Sequence, residues 1–213
     1  MVVINELAWM GTENSYHNEW IELYNPNESP LNLDNWTIQT NDGSLKIKLS
    51  GVVGTKSYFL LERTDDSTVP GITADLIYKG GLNNQGKRIL LLDDSGRVVD
   101  EVDCSLGWFA GNNENKKTME RIGSFSAGPG QLSGSDPNNW KTSQNPGGTP
   151  KSENSPDESI IPQKELSIAD RNYENSKFAS VLAIGLSASA CISAIFSAIW
   201  LKTKKKSSNI KYQ

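Results

Sequence analysis

The chain has 213 residues, a formal net charge of −4 and a single histidine. The charge is uneven: residues 1–150 carry 19 Asp+Glu against 12 Lys+Arg, net −7, whereas residues 178–213 carry five lysines and no acid. An acidic globular part repels a phosphate backbone and argues against sequence-independent nucleic-acid binding. One histidine, with Cys104 and Cys191 far apart in sequence, leaves no Cys/His metal site to assemble.

Short apolar-polar alternations follow one another from the first residues. "VVINELAW" and "EWIELYN" read as strands, and "LNLDNWTI" as a third. In "SLKIKL" Leu45, Ile47 and Leu49 point one way and Lys46 and Lys48 the other, the pattern of a half-buried strand. It follows Asp42-Gly43, a pair suited to a tight hairpin. "YFLLER" and "DLIYK" come next. "RILLLDDSGRVVDEV" reads as a second hairpin turning at Ser95-Gly96, and the apolar run Ile89–Leu92 predicts a strand covered on both faces. "TMERI" brings the expected number of strands to nine. No helical period separates them, and turn signals every 8–12 residues or so argue for a β-sandwich or barrel.

The composition changes near Gly148. Residues 151–177 are rich in Pro, Ser, Asn and Glu and read as a flexible polar linker, with an end-to-end distance of about 30 Å. Residues 178–201, "FASVLAIGLSASACISAIFSAIWL", are uncharged. As a helix they would measure about 36 Å, enough to cross a bilayer core with some tilt. Lys177 and Lys202 bracket the run, and Trp200 stands at an interfacial position. Gly185, Ser189, Ser193 and Ser197 recur every four residues, a small-residue stripe that offers a packing face to a second copy. Residues 202–213 form a basic tail. The lysine excess there predicts a cytoplasmic C-terminus and an extracytoplasmic sandwich at the cell membrane. Met1 abuts the first strand, which is what a missing leader would leave; a tail-anchored chain with a cytoplasmic sandwich is the rival expectation.

The ordered segments resemble those of the lamin tail domain. They are Ile4-Asn5-Glu6, then Glu19–Leu23 with Asn25, then Leu33, Trp36 and Ile38 after a turn. "SYFLLER", "NNQGKRILLLDDSGRVVDEV", "KKTMERI" and "NNWKTSQNPGGTPKSEN" resemble later segments of bacterial members, so the likeness runs from about Val2 to Asn154. It implies an immunoglobulin-like β-sandwich over residues 1–150. No heptad rod precedes it and no C-a-a-X box ends the chain, so the resemblance is to envelope and extracellular proteins of bacteria rather than to nuclear lamins.

The segment Asn18–Ile38 concentrates Glu19, Glu22, Glu28 and Asp34. Strand alternation puts Glu19 with Ile21 and Leu23 on one face and Glu22 with Trp20 and Tyr24 on the other, poor geometry for a two-carboxylate site. Glu28 and Asp34 fall among turn residues. A buried carboxylate needs a partner, and one or both of Glu19 and Glu22 are expected to pair, as framework, with Arg63 or Arg121, which end strand-like segments and recur in the pattern of the family the chain resembles. No G-x-S-x-G, H-E-x-x-H or phosphate loop is present, and no catalytic, cofactor or metal residues are expected. His17 reads as a surface residue. Asp65-Asp66 and Asp93-Asp94 lack the spacing of a calcium loop. Of Trp9, Trp36, Trp108 and Trp140, Trp108 is the best candidate for an exposed carbohydrate platform and Trp36 is expected in the core. The leading reading is a non-enzymatic, membrane-anchored interaction module whose partner is a protein or a cell-wall glycan. A carbohydrate- or calcium-dependent binding module is the alternative, and a metal-dependent hydrolase is third.

Overall fold

The computed structural model describes residues 1–122 and 133–156, which lie within one compact unit, Met1–Glu158. Twelve strands occur among the described residues: β1 (Val3–Ala8), β2 (Trp20–Asn25), β3 (Leu31–Asn32), β4 (Thr37–Thr40), β5 (Lys46–Lys48), β6 (Val52–Val53), β7 (Ser57–Arg63), β8 (Leu76–Tyr78), β9 (Arg88–Leu92), β10 (Val98–Asp103), β11 (Lys117–Arg121) and β12 (Trp140–Pro146). One sheet has the order β12-β11-β1-β2-β7-β8, antiparallel except for the parallel β7/β8 pair. The other is β10-β9-β4-β5, antiparallel throughout. Their inner faces share one core: Ile4, Leu7, Ile21, Leu23 and Leu61 from the first meet Ile38, Ile47, Ile89, Leu91 and Val102 from the second. This is an all-β sandwich, as the strand pattern predicts.

Three local expectations are corrected. "LNLDNWTI" is two strands, because Asn35 takes a left-handed backbone (φ 67°) and the Trp36 amide turns back onto the Leu33 carbonyl at 3.0 Å. β3 then pairs with β6 outside the main sheets. The run Ile89–Leu92 is not covered on both faces: Ile89 and Leu91 are fully buried, but Leu90 and Leu92 are half-buried. β12 lacks an apolar period-2 pattern and is held as an edge by pairing with β11 and by inward-facing Trp140.

A bulge shapes β1. Val2 and Ile4 on one parity and Leu7 on the other all enter the core, which a regular strand forbids. The register against β2 shifts between Ile4 and Glu6, and the extra residue restores the inward set. Glu6 is thereby placed on the outer face of the six-stranded sheet.

Two chain returns cover that outer face. The loop after β7 packs Val69 and Ile72 against Ala8, Trp20 and Leu60. The segment after β12, residues 147–155, lies across β11, β1 and β2. Its first five linker-assigned residues are therefore fixed rather than free: Lys151 N donates to Glu22 at 2.6 Å, Asn154 donates to the Arg121 carbonyl at 2.8 Å, and Ser155 N donates to Glu120 at 3.0 Å. The remaining linker, the expected span 178–201 and the basic tail lie outside the described residues. Among the described residues no helix is long and apolar enough to cross a membrane.

A chain ending at Pro150 loses these donors and opens Glu22 and Glu120 to water, giving up intramolecular hydrogen bonds worth about 0.5–1.5 kcal/mol each. A chain ending at Pro156 is expected to melt several degrees higher than one ending at Pro150. Equal thermal midpoints by circular dichroism would show that the strap contributes nothing.

Candidate functional site

The outer face carries a row of buried glutamates. Glu6 lies opposite Glu22 on β2 and opposite Glu120 on β11, and all three side chains belong to fully buried residues. Each is occupied by the strap or its surroundings. Glu6 accepts from Thr149 N at 3.0 Å, from Thr149 Oγ1 at 2.9 Å and from Thr118 Oγ1. Glu22 accepts from Asn5 Nδ2 at 3.0 Å as well as from Lys151 N. Glu120 accepts from Ser155 N and Oγ, and Lys141 Nζ is 3.7 Å away. Gly148 (φ 68°) permits the close approach, since a Cβ there would fall 1.8 Å from Glu6 Oε1. Glu62, further along the same face, receives Thr68 N at 3.0 Å and Val69 N at 3.3 Å from the other chain return. The four carboxylates thus serve as acceptors for backbone N–H groups that no strand partner satisfies.

The expected framework residues form two separate sets. Glu19 pairs with Arg63 Nη1 at 3.0 Å and accepts Leu82 N at 2.6 Å. Arg121 pairs with neither Glu19 nor Glu22. Its partner is Asp100, at 2.5 Å through Nη1 and 3.1 Å through Nη2, with Trp140 under the guanidinium at 5.5 Å from the ring centroid. Strand parity explains the difference: Arg121 faces inward with Met119, whereas Glu22 faces outward. Asp100, Glu6 and Glu120 are the functional carboxylates that sequence reasoning passed over. The "INEL" parity break, which requires a bulge, was the available signal for the outward Glu6.

The other candidates fall into place as turn chemistry. Exposed Glu28 meets Lys56 at 3.0 Å, and Asp34 accepts Gly51 N at 2.9 Å, which holds its carboxyl below the usual range. Asp65 and Asp93 each bind the amide and hydroxyl of a serine two residues on, at Ser67 and Ser95, and Asp66 caps Ala74 N. Asp42-Ser44 and Asp103-Ser105 repeat the device. No group of three or more His, Cys, Asp or Glu among the described residues is arranged to hold a metal ion. Trp108 is not a free platform. It stacks on Trp9 (centroids 5.7 Å, 7° between planes), and its indole N–H donates to the Asn83 carbonyl at 2.8 Å. Trp36 is half-buried against the core rather than within it.

The two packed sheets, the inter-sheet core and this strap define an immunoglobulin-like β-sandwich. The Lamin Tail Domain family model matches residues 1–105, β1 through β10, and supports that family for this part of the chain. No curated protein matches the chain.

Burial pushes Glu6 up to about 8 and Glu19 to about 7, and raises Glu22 well above its ordinary 4.5, with the neighbouring Glu6 adding to the effect. These groups hold protons in the fold that the unfolded chain releases above pH 4.5. Their contribution is full below about 4.5 and lost as pH rises through 7–8. The acids that hydrogen bonds hold low, such as Asp34 and Asp103, act in the opposite sense and only below about 3.8. The urea midpoint should therefore fall between pH 5 and pH 8.5, and Glu6→Gln should flatten the decline. A midpoint that rises over this interval would contradict the assignment. In the same assay Arg121→Ala should cost about 3–5 kcal/mol, because it strands buried Asp100. Arg63→Ala should cost less, since Glu19 keeps the Leu82 amide and stands beside an open groove.

Proposed function

We propose that the chain is a non-enzymatic interaction module, anchored in the cell membrane by residues 178–201 and displaying its sandwich outside the cytoplasm. The observation that carries the non-catalytic reading is the commitment of the buried carboxylates. A general acid or base must reach a proton on a substrate. Glu6, Glu22 and Glu120 are sealed beneath the strap, and each already accepts from the chain. The family match over residues 1–105 supports the same class of module. Anchoring rests on the uncharged 24-residue run, and orientation rests on the five lysines after it. The small-residue stripe Gly185, Ser189, Ser193 and Ser197 would let two spans pack closely and pair the displayed domains, raising avidity for a repetitive partner.

Protease added to spheroplasts expressing the chain behind an export leader should digest the sandwich and spare a C-terminal epitope tag. Protection of the sandwich would favour a tail-anchored chain with the opposite orientation. Gly185→Ile or Ser193→Ile should weaken association in a membrane two-hybrid assay; equal association by all variants would reduce the span to an anchor.

A further inference from the structure

Outside the buried row, one region combines a preformed concave surface with an aromatic ring held out to solvent. Two shallow hollows of about 510 and 500 Å³ share Arg63 as a wall. They are bounded by the loop between β1 and β2 and by the loop between β8 and β9.

The first loop is braced on Ser15: Thr12 N and Asn18 N donate to its carbonyl at 3.0 and 3.1 Å, and His17 N donates to its hydroxyl at 3.1 Å. Despite this bracing Tyr16 is 69% exposed, with the His17 ring at 3.9 Å between centroids. The bracing fixes the backbone that carries Tyr16, and the ring stands out to solvent where it can stack on a ligand.

Arg63 is held at one end. Its Nη1 is on Glu19 at 3.0 Å, and Gly81 runs close beside the guanidinium, where a Cβ would fall 2.8 Å from that atom. The side chain is 19% exposed, and its remaining N–H groups have no partner among the described residues.

Carboxylates stand among the cations. Glu19 meets Arg63 at 3.0 Å, Asp42 meets Lys87, and Lys79 and Asp65 line the same hollow. The walls therefore offer donors and acceptors together, beside an aromatic face. A polyanion gains little there. A molecule with an apolar face and a rim of hydroxyls, each both donor and acceptor, matches it.

We infer that the groove around Arg63 binds an uncharged saccharide, with Tyr16 stacking on a sugar face and Arg63 and Asn84 hydrogen-bonding its hydroxyls. This rests on the reading of the chain as an interaction module and gives that module a ligand class.

The test is fluorescence-anisotropy titration of the full chain, in a sugar-free zwitterionic detergent, against labelled maltohexaose, cellohexaose and chitohexaose. The expected result is saturable binding of at least one probe in the micromolar-to-millimolar range, about −4 to −8 kcal/mol. Tyr16→Ala should weaken it about ten-fold or more with an unchanged melting curve, and Tyr16→Phe should retain it. Absence of saturation by all three probes, or equal binding by Tyr16→Ala, overturns the site. A preference for an oligogalacturonate probe overturns the uncharged class. Hydrolysis of a bound probe would instead overturn the non-enzymatic reading and leave the site standing, whereas loss of binding leaves membrane display untouched.

Discussion

The Arg121–Asp100 pair holds the sandwich at its weakest point. β1 pairs with β11 only at Glu6 and Leu7, so the Ile4 amide and carbonyl find side chains rather than a strand inside the core. Asp100 Oδ2 takes the Ile4 N–H at 2.8 Å, and Arg121 Nη1 donates to the Ile4 carbonyl at 3.0 Å. The same two side chains bind each other. Because Asp100 belongs to β10 and Arg121 to β11, one ion pair both satisfies the Ile4 backbone and ties the two sheets together. Desolvating two charges is expensive, and an isolated buried pair is weak evidence for stability. Here each charge also meets a backbone group that would otherwise be buried unpaired, so the comparison is with an open ladder rather than with an apolar core.

The bulge in β1 turns Glu6 outward, and the strap follows from that. An outer sheet face would ordinarily be solvated, with glutamates as good surface residues. Residues 147–155 instead cross the face in an irregular conformation, with amides that no strand satisfies. A carboxylate row at strand spacing supplies acceptors along the path, and Thr149, Lys151 and Ser155 meet Glu6, Glu22 and Glu120 in turn. Lys151 Nζ adds a tie to Asp75 at 3.0 Å, linking the strap to the other chain return. The polar residues are as buried as the core and as specific in their pairing.

Much of this architecture was legible in the chain. Period-2 alternation and Asp-Gly or Ser-Gly turns located most of the strands, and the need of a buried carboxylate for a partner pointed to Arg63 or Arg121 without choosing between them. What was not legible depends on contacts between distant segments. Arg121 and Asp100 are 21 positions apart on different sheets, and nothing local distinguishes Asp100 from the other acids in "DDSGRVVDEV". β12 was not legible as a strand, and the end of the strap, residues 151–155, read as linker because Ser, Asn and Pro signal turns. Their order comes from partners in other strands: β11 for β12, Glu120 for Ser155, and Glu6 and Glu22, more than a hundred residues earlier, for Thr149 and Lys151. The acids of Asn18–Ile38 divide along the same line: Glu28 and Asp34 are local punctuation and visible as such, whereas Glu22 is decided by Lys151.

The carboxylate row also explains why glutamate, rather than glutamine, suits an acceptor site that burial drives toward protonation. Thr149 Oγ1 lies 2.9 Å from Glu6 Oε2 and 3.2 Å from Glu120 Oε1. With one proton on Glu6, its hydroxyl can donate to Thr149 Oγ1, which then donates to Glu120, while Glu6 Oε1 still accepts the Thr149 amide. The neighbouring glutamates then need not both be charged in a site that disfavours a second charge. A glutamine at position 6 could reproduce one donor and one acceptor but could not shed its hydrogen. The row would then keep its geometry and lose the part of its sensitivity to pH that belongs to Glu6, leaving Glu22 to titrate, which separates the structural role of Glu6 from its titration.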